Sequence, residues 1–111
     1  MAEPIGSAKV LEKLSKEGYK EDIKSFKNGL RLSPSGVEVI PEEVLVDKIY
    51  RFEGQTDLND EEIIFAISLP RHGLKGTYLV AFGPMMDQQD VDMVLRLKKI
   101  HKKSSQFFGS H

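Results

Sequence analysis

The most suggestive polar pattern in the chain is Tyr50-Arg51-Phe52-Glu53-Gly54. On a strand, side chains two residues apart share a face, so Arg51 and Glu53 project together while Tyr50 and Phe52 turn the other way. An arginine presents a planar fork of donors that suits a carboxylate or a phosphate. Arg51 and Glu53 can therefore pair with each other, pair across a sheet, or read a charged ligand. Arg71, His72 and Lys75 form a second group around a turn and could contact an anionic group, with His72 polarising it or serving as a general base. A histidine exposed in a surface loop is the simpler account of His72.

Other constellations fall short of the context their chemistry needs. Gly73-Leu74-Lys75-Gly76 has the glycines and the lysine of a phosphate cradle. It leads into a strand pattern, so no helix N-terminus faces an anion, and the segment reads as a turn. Asp57-Leu58-Asn59-Asp60-Glu61-Glu62 gathers carboxylates that suit a hard cation. A calcium loop starting at Asp57 would need glycine at its sixth position and glutamate at its twelfth, where the chain has Glu62 and Ser68. A solvated acidic loop is expected instead, with Asp57 and Asp60 bonding local amides. His72, His101 and His111 form no i, i+4 pair with a carboxylate, and the absence of cysteine removes thiolate ligands, Cys nucleophiles and disulfides together. The sequence therefore assigns no catalytic residue, no metal ligand and no cofactor.

Arg96 to Lys103 forms a basic helical end with Phe107-Phe108 beyond it, a combination that could touch nucleic acid. A pI near 6.3 argues against that reading, because phosphate-backbone binding needs several neutralisations acting together. A solvated helix end is the better account. Met85-Met86 reads as core filler or as an adaptable contact surface.

The elements that must position these groups follow from periodicity and turn residues. Val10, Leu11 and Leu14 form one stripe of a helix from Ser7 to about Glu17, with Ser7 as its cap and Gly18 as its left-handed end, and with Tyr19 folded back on Leu14. Asn28-Gly29 predicts a two-residue hairpin turn between strands near 22–27 and 30–33. Ser33-Pro34-Ser35-Gly36 breaks the chain before a short strand at 37–40 and a turn at Pro41-Glu42-Glu43. Val44, Val46, Tyr50 and Phe52 alternate with Asp47, Arg51 and Glu53, and the latter share their face with Leu45 and Ile49. Ile63, Phe65, Ile67 and Leu69, then Tyr78, Val80 and Phe82, give the core side of two more strands, while Ile64, Ala66, Leu79 and Ala81 call for cover on the second face. A last helix should begin near Asp87, capped by its carboxylate, with Val91, Val94, Leu95 and Leu97 buried. The expected architecture is an α+β domain, an antiparallel sheet of about four or five strands packed by an N-terminal and a C-terminal helix.

At 111 residues, with 40% hydrophobic and 30% charged side chains, the chain can bury one core and not two. A single domain over 1–103 and a disordered tail over 104–111 are expected. Charge is unevenly spread: residues 1–35 carry +2, 36–70 carry −7 and 71–111 carry +4. That polarity could orient a partner, unless folding interleaves the segments and cancels the field. No apolar run suits a membrane span or a secretion signal, so a cytoplasmic protein without membrane association is expected.

Gly18-Tyr19, Pro41-Glu42-Glu43, the run Val46 to Gly54, Asp60-Glu61, Phe65-Ala66-Ile67-Ser68 and Lys75-Gly76 are spread across residues 10–82. In these segments the chain resembles a family of small uncharacterised bacterial proteins of similar length, whose members often carry the label phosphoribosylpyrophosphate synthetase. Such a synthetase needs a much longer chain and a pair of acids opening a Gly/Thr-rich phosphate loop, and the sequence has neither. Members also tend to have an acidic, tyrosine-rich segment where this chain reads Ala81 to Met86. The leading expectation is a non-enzymatic binding or regulatory module acting through a charged sheet face around Arg51, Glu53 and Lys75, with a protein partner or a second copy of itself. The rival expectation is a nucleotide- or sugar-phosphate-binding protein or enzyme accessory using Arg71, His72 and Lys75. Nucleic-acid binding through Lys98 to Lys103 is a third.

Overall fold

The structure, a computed structural model, describes residues 6–53, 61–83 and 86–109. Its elements are α1 (Ser7–Lys16), β1 (Glu21–Phe26), β2 (Gly29–Ser33), β3 (Glu38–Val39), a 3-10 turn (Pro41–Glu43), β4 (Leu45–Glu53), β5 (Glu61–Leu69), β6 (Leu74–Phe82) and α2 (Gln88–Gly109). The six strands form one sheet in the order β3-β2-β1-β6-β5-β4. Each half is an antiparallel meander, and the two halves meet at a parallel seam between β1 and β6. The α+β class and the two helices agree with expectation. The sheet is nonetheless mixed, and it has six strands instead of four or five. Apolar alternation marks a strand without naming its neighbour, and a parallel pair joined through four intervening strands leaves no local turn signal.

The helices cover opposite faces. Met93, Val94 and Leu97 of α2 pack with Ile23, Leu32, Ile63, Phe65, Ile67, Tyr78 and Val80, whereas Val10 and Leu14 of α1 pack with Tyr19, Ile64 and Ala66. Successive residues of β5 thus bury on alternate sides, as the expected cover on both faces requires. On α2, Leu95 is 60% exposed and Met93 takes the core position, a correction to the expected stripe. Residue 93 lies one turn before Leu97, whereas Leu95 is two positions from it, on the far side of the helix. The backbone of α2 continues to Gly109, through most of the segment expected to form a tail.

Local differences have identifiable causes. The β1–β2 hairpin turns at Lys27 (φ 48°) and Asn28 (φ 66°), one residue earlier than the Asn-Gly signal suggests. Gly29 instead opens β2 opposite Phe26, where a Cβ would lie 2.8 Å from the Val39 carbonyl oxygen. In β4 the register slips between Val46 and Lys48, a bulge at Asp47. The bulge reverses the face of everything after it: Val44, Val46 and Ile49 join the α2 side, and Tyr50 and Phe52 join the α1 side. The single uninterrupted alternation expected along this strand therefore holds only within each half. At the start of α1 the cap position is Gly6, without a side-chain bond, and the Ser7 hydroxyl donates to Glu62 Oε1 of β5 at 2.6 Å.

Candidate functional site

The seam between β1 and β6 is short. Only Glu21, Asp22 and Ile23 pair with Gly76, Thr77 and Tyr78, although β1 runs on to Phe26 and β6 to Phe82. Gly76 makes the close approach possible, since a Cβ there would sit 2.6 Å from the Glu21 carbonyl oxygen and 2.7 Å from the Glu21 Cβ. Beyond Tyr78 the strands part. The opening is a crevice of about 450 Å3, lined by Lys24 and Ser25 of β1, Tyr78 to Ala81 of β6, and Met86, Asp87, Gln89 and Asp90 around the start of α2.

A polar network spans this crevice. Tyr78 Oη donates to Asp90 Oδ1 at 2.5 Å and Ser25 Oγ donates to the same oxygen at 2.6 Å. Gln89 Nε2 in turn donates to Ser25 Oγ at 3.1 Å. Three elements are thereby tied at one carboxylate, with β1 reaching it across 65 residues of sequence. Burial raises the pKa of the Tyr78 hydroxyl, and the Asp90 carboxylate raises it further, so its proton stays in place to be donated. The Tyr78 ring stacks on Phe65 with centroids 5.8 Å apart, which fixes its orientation. The Val91 N–H bonds the Asp87 carbonyl oxygen, which sets the first turn of α2 at the crevice mouth.

A related network lies on the opposite face. Tyr19 Oη donates to Asp47 Oδ2 at 2.6 Å, and Ser68 Oγ donates to the same oxygen. Lys75 Nζ sits 4.2 Å from the Tyr19 ring centroid and donates to the Glu17 carbonyl oxygen at 3.1 Å. This closes the C-terminal end of α1 against the β4 bulge. Burial, then the Asp47 carboxylate, push the Tyr19 hydroxyl up to about 12.

Arg51 and Lys75, both singled out from the sequence, lie apart. Arg51 is opposite Ile63 on β4's neighbour and Lys75 is opposite Ser68, so along β5 the two are five positions and roughly 17 Å apart, on opposite faces. Of the roles open to Arg51, the structure shows a cross-strand pair: its Nη2 is 2.7 Å from Glu61 Oε1 and its Nε 3.2 Å. Glu53 ends β4, and its side chain lies outside the described residues, as do residues 57–60 of the acidic segment, Met85, and the side chains of Phe107 and Phe108. Arg71 and His72 are exposed in the β5–β6 turn, at the opposite end of β6 from the crevice, and Lys75 is held by Tyr19 and Glu17. Gly73 occupies that turn with φ 64°. Among the described residues no three metal-ligating side chains come together, and no helix is long and apolar enough to cross a membrane.

Sequence reasoning passed over Ser25, Tyr78 and Asp90 as a group. A signal for them exists: Ser25 follows Ile23 on the core-facing side of β1, and Tyr78 occupies a core position on β6, so each carries a hydroxyl where a satisfying partner is required. No protein-family model, curated protein or solved structure matches the chain.

Proposed function

We propose that the chain is a non-enzymatic cytoplasmic binding module whose ligand is a small molecule seated in the crevice between β1 and β6. One observation carries this reading: a parallel pair that ends after three residue pairs and leaves a lined opening of about 450 Å3, within the usual size range of ligand sites. Its position supports it by analogy, since open sheets bind ligands outside the carboxyl ends of parallel strands. Here the crevice lies at the carboxyl ends of β1 and β6, where β1 leads outward to β2 and β6 leads into α2. A binding role is favoured because the network ties β1, β6 and α2 together and the surroundings of Tyr78 hold its proton more tightly.

The test is a fragment screen followed by amide-shift mapping. Binders should move the amides of Lys24, Ser25 and Leu79 to Ala81, and at about 100 times the dissociation constant they should stabilise the fold by roughly 2.7 kcal/mol. A screen whose hits all map to the β5–β6 turn around Arg71 and His72 would transfer the site to the phosphate-binding group read from the sequence.

A further inference from the structure

We infer that the crevice selects a compact organic cation, a ligand carrying an ammonium or guanidinium group on a short hydrocarbon body. This rests on the crevice being the ligand site and goes further by naming the chemistry it takes.

The argument is an inventory of donors and acceptors. A serine or tyrosine hydroxyl has one proton to give, and Ser25 and Tyr78 both give theirs to Asp90 Oδ1. What these hydroxyls have left is lone pairs. Ser25 already receives Gln89 Nε2, and with that amide nitrogen engaged the Gln89 carbonyl oxygen is its remaining acceptor. Among the described residues Asp90 Oδ2 receives no hydrogen bond from a side chain, and Asp87 adds a second carboxylate at the exposed mouth. Acceptor sites on Asp87, Asp90, Gln89 and the two hydroxyls thus outnumber the remaining donors, the second Gln89 N–H and the Lys24 ammonium, so the balance favours a ligand that brings donors.

The charges agree. Among the described residues lining the crevice Lys24 is the one cation, set against Asp87 and Asp90, and its Nζ is 4.0 Å from Asp22 Oδ2 on its own strand. The first turn of α2 would otherwise attract an anion, but both carboxylates sit at that end and offset its positive dipole. A phosphate or carboxylate entering here would meet two like charges. A cation meets one exposed and one half-buried carboxylate, and charge-assisted hydrogen bonds are about twice as strong as neutral ones. Val80, Ala81 and Met86 supply the apolar wall for the body of the ligand.

An isosteric series tests this on the full chain: n-butylammonium, n-butanol and butyrate, with agmatine as a guanidinium probe and inorganic phosphate as an anion, each followed by amide shifts. The expected result is saturable movement of the amides of Ser25, Leu79 to Ala81, Gln89 and Asp90 by the two cations, at least tenfold tighter than by butanol or butyrate. Asp90→Asn, which keeps one acceptor oxygen, should weaken n-butylammonium at least tenfold. Asp87→Asn, at an exposed position before α2 where asparagine caps a helix as well as aspartate, should weaken it about threefold and guards against misfolding of the first variant. Butyrate or phosphate moving the same amides as strongly as the cations overturns the cation assignment and leaves the crevice as a ligand site. Cations that shift only amides elsewhere, with fragments still mapping to the crevice, overturn it too. Fragments and cations that all miss the crevice overturn both readings.

Discussion

The fold contains two Tyr-Asp-Ser networks, one on each face of the sheet, with the same chemistry and different surroundings. In each, a tyrosine and a serine hydroxyl converge on one aspartate oxygen. Tyr19, Asp47 and Ser68 lie where α1 runs into the sheet, and Lys75 fills the space above the Tyr19 ring. Tyr78, Asp90 and Ser25 lie at the end of the seam where β1 and β6 have separated, and the space beside them is open. The networks themselves act as fasteners between elements. Sheet geometry decides which of them a ligand can reach, and the point of decision is the residue that lets the two meanders touch at all.

That residue is Gly76, and substituting it gives the largest expected effect. A valine would place its Cβ 2.6 Å from the Glu21 carbonyl oxygen, a backbone contact that only movement of β1 can relieve. Overpacking of this kind costs about 3 kcal/mol. Gly76→Val should lower the urea midpoint accordingly and shift the amides of both networks, because both are anchored to β5 or β6 within a few residues of the seam. A loss below about 0.5 kcal/mol, within the range of an ordinary surface substitution, would mean that the seam is not what holds the halves together.

Removing one hydroxyl from each network compares them directly. Tyr78 is 2% exposed and its hydroxyl serves a carboxylate, so Tyr78→Phe should cost about 1.5–3 kcal/mol. Tyr19→Phe should cost less, about 0.5–1.5 kcal/mol, since Asp47 is exposed, keeps its Ser68 bond and can take water in place of the phenol, while Lys75 still has a ring to sit on. Equal losses in chemical denaturation would break the distinction between a buried and a surface fastener.

The alkaline limb of stability sharpens it further. A tyrosine whose folded pKa lies above its unfolded value of 10.0 gives stability that is complete below that value and is lost as pH rises through the folded one, because the unfolded chain releases its proton first. With Tyr19 raised to about 12, wild type should lose stability between about pH 10 and 12, and Tyr19→Phe should fall less steeply across that window. Lysines titrate in the same range in both proteins, so the difference between the two curves is the measurement. Parallel curves would show that the Asp47 bond does not hold the Tyr19 proton.

Much of this organisation can be read in the residue order, and the parts that cannot share a physical reason. Gly18 ends α1 with φ 103°, and Ile63 to Leu69 alternate faces as their period demands, because each depends on the chain within a few residues. The crevice depends on Ser25 and Asp90 meeting across 65 residues, and on a parallel seam that no turn announces. Asp90 reads locally as a favourable first-turn acid, which it also is. The bulge at Asp47 hides for a related reason: one extra residue reverses the face of Tyr50 to Phe52 without disturbing their composition.

The smallest expected effect concerns the strand that looked most functional. Arg51 and Glu53 stood out because two charges on one strand face exceed what a strand end needs, yet Arg51 is 57% exposed and is engaged with Glu61 on the neighbouring strand. An exposed pair contributes about 0.2–1 kcal/mol even with good geometry, because water screens the attraction and ordering two long side chains costs entropy. Arg51→Ala should therefore lower stability by no more than that, with the loss shrinking in high salt, and should leave shifts caused by crevice ligands unchanged. Abolition of ligand binding by Arg51→Ala in a folded protein would reverse the ranking of the two regions, placing recognition on the β4 edge and leaving the Tyr78 network a fastener like its counterpart.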